Sequence, residues 1–123
     1  MYDGKKEVAI VDVESVINIE TGDREKKVTK GNRVIADIGL VGVYTMQLGQ
    51  AQGFNLTYSI NIPKRYYDKE KYAFFDDQLY TIANITKAKS PNNMLLNVAE
   101  LEDEEIEKAI RTWFNGGVTN GNT

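Results

Sequence analysis

Few side chains in this chain can do chemistry, because its 123 residues include no cysteine and no histidine. Thiolate nucleophiles, Ser-His-Asp triads and almost every zinc site need a thiol or an imidazole, so those classes are excluded. The remaining candidates are Lys, Tyr, Ser, Thr and the carboxylates, which can move protons or hold Mg2+ or Ca2+. Asp76 and Asp77 are adjacent between two strand-like runs. Neighbours in a strand point to opposite faces, so the pair reads as a solvated hairpin tip rather than an ion clamp. Glu102, Asp103, Glu104 and Glu105 precede a helical pattern, where negative charge is stabilised by the helix dipole, and they read as a cap rather than a calcium site. Asp12 and Glu14 share a strand face, but two carboxylates alone do not make a glycosidase. The stretch GVYTMQLGQAQG, residues 42–53, lacks the Lys and the glycine spacing of a phosphate-binding loop. The expectation is a protein that is not an enzyme, with no catalytic residues, no cofactor and no metal.

Contact chemistry is better represented. The stretch KRYYDKEKYAFF, residues 64–75, interleaves Lys64, Arg65, Lys69 and Lys71 with aromatic rings, the composition of a surface that stacks bases and meets phosphates. Asp68, Glu70, Asp76 and Asp77 dilute its field, and the alternation of Tyr72 with Phe74 is also that of core residues. At the other end, Ile106, Ile110, Trp113 and Phe114 form an apolar stripe at helical spacing. Such a helix either folds back on its own domain or docks on a neighbour, for which a terminal Trp and Phe supply anchor area.

These residues must be positioned by a single domain. The mass of 13.9 kDa fits one core, and 15 basic against 18 acidic residues give a formal charge of −3, without the overall basic footprint of a nucleic-acid-binding protein. The apolar runs at residues 8–13 and 34–43 are too short for a signal peptide core or a membrane span. The expectation is a soluble chain made in the cytoplasm, whose sequons at Asn55 and Asn84 carry no meaning.

LTYSINI, residues 56–62, alternates apolar and polar side chains and predicts a half-buried strand ended by Pro63. Residues 72–85 read as a hairpin and residues 94–101 as a further strand. Upstream, residues 8–13 and 16–19 predict one long or bulged strand, paired with residues 28–38. The charged run 23–30 either extends that hairpin as a solvated ribbon or loops out, and Gly31-Asn32 marks a bulge or a second turn. A short helix is expected over residues 43–50. A second follows the Asp103 cap, with Glu104/Lys108 and Glu107/Arg111 as i, i+4 pairs. The sum is an all-β small barrel or sandwich with a short mid-chain helix and a C-terminal helix. The division is a barrel over 1–101, an amphipathic helix over 102–115 and a polar tail over 116–123, disordered if left alone. The expected core includes Val34, Ile60, Ile62, Phe74, Tyr80, Ile82, Leu96 and Val98.

The order of these elements resembles the head-tail joining family of tailed bacteriophages, also called head closure or head completion proteins. The stretches that carry the likeness are RVIADIGLVG, VYTMQLGQAQG, LTYSINIPKRYY, FFDDQLYTIANI and NNMLLNVAEL, about four fifths of the chain. Departures are Gln78, where a turn glycine is usual, and the helix and tail beyond Glu102. The resemblance implies a structural neck protein of the virion, a homo-oligomeric ring that closes the DNA-filled head and provides the platform for the tail. Its partners would be copies of itself, a portal-adaptor protein on the head side and a tail completion protein on the tail side. Double-stranded DNA would pass through the channel without sequence-specific binding, and no membrane would be involved. Its interface residues would be Asp23, Arg24, Lys26, Lys27, Tyr44, Tyr66, Tyr67, Ile110, Trp113 and Phe114. The loops at 21–30 and 47–54 would reach neighbouring subunits or the lumen, and the terminal helix and tail would order on a neighbour. Alternatives are a tail completion or terminator protein of the same virion, or an OB-like module binding single-stranded nucleic acid.

Overall fold

The computed structural model describes residues 4–117. The chain closes six antiparallel strands into a barrel: β1 (Lys5–Ile17), β2 (Arg24–Leu40), β3 (Leu56–Pro63), β4 (Tyr72–Phe75), β5 (Gln78–Lys87) and β6 (Asn93–Glu100). Their order around the wall is β1-β2-β3-β6-β5-β4, with β4 returning to pair with β1. Helix α1 (Val43–Ala51) links β2 to β3, and α2 (Glu104–Thr112) follows β6 and runs into a wider turn over Trp113–Gly117. The expected barrel with a mid-chain and a C-terminal helix is the architecture found.

Alternation decides what enters the barrel. Val8 and Ile10, Val34, Ala36 and Ile38, Ile60 and Ile62, Ala73 and Phe75, Tyr80, and Leu96 and Val98 form the interior cluster, with Tyr58 and Ile82 packed on it. Phe75 stacks on Tyr80 at 4.6 Å between centroids, and Tyr58 meets both rings edge-on at 6.0 Å. One expected core residue lies elsewhere. Phe74 points to the outer wall, where it joins Ala9, Val11, Leu79, Ile106 and Ile110 in a second core beneath α2. YAFF is apolar at every position, so its alternation does not say which two residues turn inward.

The same double burial makes residues 8–11 a continuous apolar run, since one face fills the barrel and the other meets α2. Helix α2 begins on Asp103, whose Oδ1 accepts the Ile106 N–H at 3.1 Å. It is clamped farther along by Arg111, which pairs with Glu107 at 2.8 Å and with Asp77 across the fold. Asp76 and Asp77 are both left-handed, with φ of 49° and 66°, so the hairpin is a tight two-residue turn despite lacking glycine. Aspartate tolerates that conformation better than most residues.

The charged run joins the hairpin as a ribbon. Residues 13–17 of β1 pair with residues 24–28 of β2 and with no other strand among the described residues. The register shifts where Asp12 faces Lys30 and Val13 faces Val28, leaving Thr29 as the extra residue of a bulge. The bulge inverts the phase of β2, so Val28 packs beside Val13 against the α2 core. Gly31, two residues on, lies in the regular ladder opposite Val11. A Cβ there would come within 2.8 Å of Val11 Cγ1 and 3.0 Å of the Trp113 ring, so the glycine opens the seat for the indole.

Two predictions follow from this packing. Gly31→Ala should cost about 1–3 kcal/mol through overpacking and shift the emission of Trp113, the single tryptophan; unchanged emission and midpoint would refute the seat. Tyr80, buried in the barrel, is pushed up to about 12, chiefly by desolvation, with Tyr58, Glu100 and Asp76 adding. It therefore holds its proton more tightly when folded. That contribution is full below the unfolded value of about 10 and is lost as pH rises through about 12. In urea titrations between pH 9 and 12, Tyr80→Phe should remove roughly 2 kcal/mol of the alkaline loss seen in the parent protein, and parallel curves for the two proteins would contradict this.

Candidate assembly interface

Four of the ten expected contact residues meet in one groove. Arg24, Lys26 and Lys27 of β2 form one wall and Trp113 closes one end, while Glu105, Lys108, Ala109 and Thr112 of α2 form the other wall, around about 590 Å3. Arg24, Lys26 and Lys108 make no ion pair among the described residues. Glu25 is engaged, pairing with Lys27 at 3.8 Å and accepting from Asn18 at 3.2 Å. Of the two i, i+4 pairs expected in α2, Glu107/Arg111 forms and Glu104/Lys108 does not, which leaves the Lys108 ammonium to the groove. The arrangement is a shallow cationic trough with an aromatic end.

The other six residues lie elsewhere. Asp23 is exposed in the turn that caps the ribbon, its N–H donating to Thr21 Oγ1 at 3.2 Å and its carbonyl accepting from the Asn18 N–H at 2.8 Å. Tyr44 is 73% exposed at the start of α1. Tyr66 stacks beneath the Arg65 guanidinium, 4.6 Å from its centroid. Three are spent inside the chain. Ile110 is 0% exposed on the barrel-facing side of α2. Tyr67 packs on the barrel interior and donates its hydroxyl to the Glu70 carbonyl at 2.9 Å. Phe114 meets Phe74 edge-on at 5.9 Å and carries the Arg33 guanidinium 4.1 Å from its centroid. The terminal helix is thus seated on its own barrel, and its stripe is not the free docking face expected of it. Ile106, Ile110, Trp113 and Phe114 share a core with the outer face of the barrel. The expectation that the tail orders on a neighbour falls, beyond residue 117, outside the described residues.

The stretch 64–75 also loses its stacking surface. Tyr72 and Phe74 lie under α2 and Ala73 and Phe75 inside the barrel, leaving Tyr66 as its one exposed ring. Two of its carboxylates, Asp68 and Glu70, are engaged by a cation from β2. Lys30 of β2 reaches Asp68, pairing with its carboxylate at 2.8 Å and donating to its carbonyl, and approaches Glu70 Oε2 at 3.9 Å. The hydrogen bond to Asp68 raises the Lys30 ammonium above its ordinary value and lowers the Asp68 carboxyl below its own. Glu70 is 1% exposed; its Oε1 accepts the Asp68 N–H at 2.7 Å and its Oε2 has no hydrogen bond. Lys30 is the cation beside this buried charge.

Sequence reasoning missed a set of exposed apolar residues. Ile17 and Ile19, the latter 96% exposed, lie at the ribbon tip, while Leu40 is exposed at the end of β2 and Val43, Tyr44 and Leu48 are exposed on α1. Their signal was available: Ile19 lies in a polar turn sequence, and α1 has no charged residue. Among the described residues, no three His, Cys, Asp or Glu side chains gather to hold a metal ion, and no helix is long and apolar enough to cross a membrane. Comparison with protein-family models and with curated proteins gives no match.

Removing Lys30 strands the Glu70 charge, so Lys30→Met should lower the thermal midpoint, and adding Glu70→Gln should recover most of that loss, since a neutral amide needs no cation. Losses that simply add in the double variant would show that the two side chains are uncoupled.

Proposed function

We propose that this chain is a structural contact module that assembles head to tail into a ring, in the manner of the neck proteins that close a phage head and receive its tail. The observation that carries the reading is that most of the exposed large apolar residues fall in two different patches, with Ile35, Tyr66 and Ile85 outside them. Ile17 and Ile19 lie at one end of β2, and Leu40, Val43 and Tyr44 at the other. The 17 residues of that strand amount to roughly 50 Å of chain at about 3.3 Å each. Two unlike patches so far apart fit a heterologous interface, which generates a closed ring when its rotation closes. The closed barrel supplies a rigid block, because all its strands have partners around the wall. The ribbon supplies reach. The alternative of a single-strand binder draws no support from residues 64–75, whose rings are largely covered.

Truncation after Leu101 would be a poor test, since it would bare Ala9, Val11, Phe74 and Leu79. Point variants at the exposed patches are cleaner. Light scattering and electron microscopy of the purified full chain should show a ring. Ile19→Asp and Val43→Asp should each give monomers that keep the parent midpoint, and a mixture of the two should yield one-to-one dimers, because each variant retains the opposite half of the contact. A wild-type chain that stays monomeric at high concentration would overturn the ring.

A further inference from the structure

The groove beside the ribbon is also an open strand edge. Its β2 wall is five consecutive residues, 24–28. Consecutive strand residues alternate between faces, so a groove touching all five runs along the edge of the strand rather than across one face. On the opposite edge these residues pair with β1, whereas β3 meets β2 only from Asp37 to Leu40. The backbone N–H and C=O groups of 24–28 on the α2 side are therefore without a strand partner among the described residues. About 16 Å of edge forms the β2 wall of the groove, facing α2.

We infer that this edge is a docking site for an extended acidic peptide segment of another protein, which adds as a third strand beside β2 and lays one apolar side chain against Trp113. This deepens the contact-module reading and rests on it for the premise that the chain works through protein contacts. Charge complementarity selects the occupant. Among the described residues, Arg24, Lys26 and Lys108 are cations without an ion pair around the groove, against Glu105 alone once Glu25 is engaged. A second copy is a poor fit, because residues 24–30 hold four cations and one carboxylate, and two such edges side by side oppose like charges. A nucleic acid fits less well than a peptide. An exposed edge alternates donors with acceptors, which another peptide backbone matches residue by residue, whereas a phosphate chain offers acceptors only.

The probe is a fluorescein-labelled octapeptide alternating aspartate and valine with blocked termini, titrated onto the full-length protein at low and moderate salt. Saturable binding is expected, with amide exchange slowed at residues 24–28. The double variant Lys26→Glu with Lys108→Glu should bind at least tenfold more weakly while keeping the parent circular dichroism spectrum. A version of the peptide N-methylated at every residue, which has no N–H left to donate to a ladder from either edge, should lose binding to a similar degree. Equal binding by the double variant, equal binding of the methylated peptide, or tighter binding of an octathymidylate would overturn the inference. Ring formation is read separately by mass. Rings without peptide binding would remove this docking site and leave the ring; peptide binding by a chain that stays monomeric would remove the ring and leave the docking site.

Discussion

Everything in this fold depends on residues 8–11 of β1 being buried on both faces. Val8 and Ile10 fill the barrel while Ala9 and Val11 underlie α2. A strand buried on one face needs only a sheet, but one buried on both must be covered from outside. Helix α2 is that cover, and burying Ile106 and Ile110 there removes apolar area from water at about 25 cal/mol per Å2. Once this cover is in place, Arg111 can reach Asp77 at the β4–β5 turn, and Arg33 can hold the Phe114 ring and carbonyl. The terminal helix is thereby part of the structural unit, and the outer wall is divided into a sealed side and an open one.

The open side is polar in a specific way. On the β3–β6–β5 wall, Asn97 is buried and fully occupied, donating to Asn84 Oδ1 at 2.8 Å and Thr86 Oγ1 at 3.0 Å while accepting from Ser59. A satisfied amide network stiffens a wall without making it adhesive. At one end of that wall, α1 covers a small third core of Val41, Leu56 and Ala99. Gly49 makes this close approach possible, since a Cβ there would come within 2.6 Å of Leu56. The apolar residues that α1 leaves exposed are on its outward side. Most of the exposed large apolar residues lie near the ends of β2, with Ile35, Tyr66 and Ile85 elsewhere.

How much of this was legible in the sequence varied with how one-sided the burial is. LTYSINI announced β3 because one face enters the core and the other does not. The run at residues 8–13 announced a strand but concealed its second cover, since an all-apolar segment carries no phase. Phe74 was misplaced for the same reason. The Thr29 bulge left no mark, because KKVTK is polar on both sides of Val28 and either register satisfies the pattern. Gly31 drew notice as a bulge candidate, yet its role is to make room for an indole more than 80 positions away, and local spacing cannot reveal that. The terminal stripe of Ile106, Ile110, Trp113 and Phe114 was visible as a helix face, but periodicity names a face and not the surface it meets. Of the expected contact residues, Arg24, Lys26, Lys27 and Trp113 line one groove, while Lys108, which lines it too, was assigned to an ion pair it does not make.

The charge of the ribbon bears on how self-association could proceed. A two-stranded ribbon projecting from a barrel has exposed backbone on its edges, and exposed edges invite pairing with further copies. Arg24, Lys26, Lys27 and Lys30 oppose that route, since each additional copy would bring the same cations into register. Residues 13–17 of β1 offer no complementary counterweight, having Glu14 as their single charge. In the proposed ring, contact between copies would instead use the exposed apolar residues near the two ends of β2. The two proposed contacts would thus use different parts of one strand, apolar residues near its ends and cations along its edge. The bulge at Thr29 makes the division workable, because it lets Val28 join the α2 core while Arg24 and Lys26 share its face farther out. Without that single unpaired residue, Lys27 and Glu25 would turn toward α2, and Val28 would lose its place against the core.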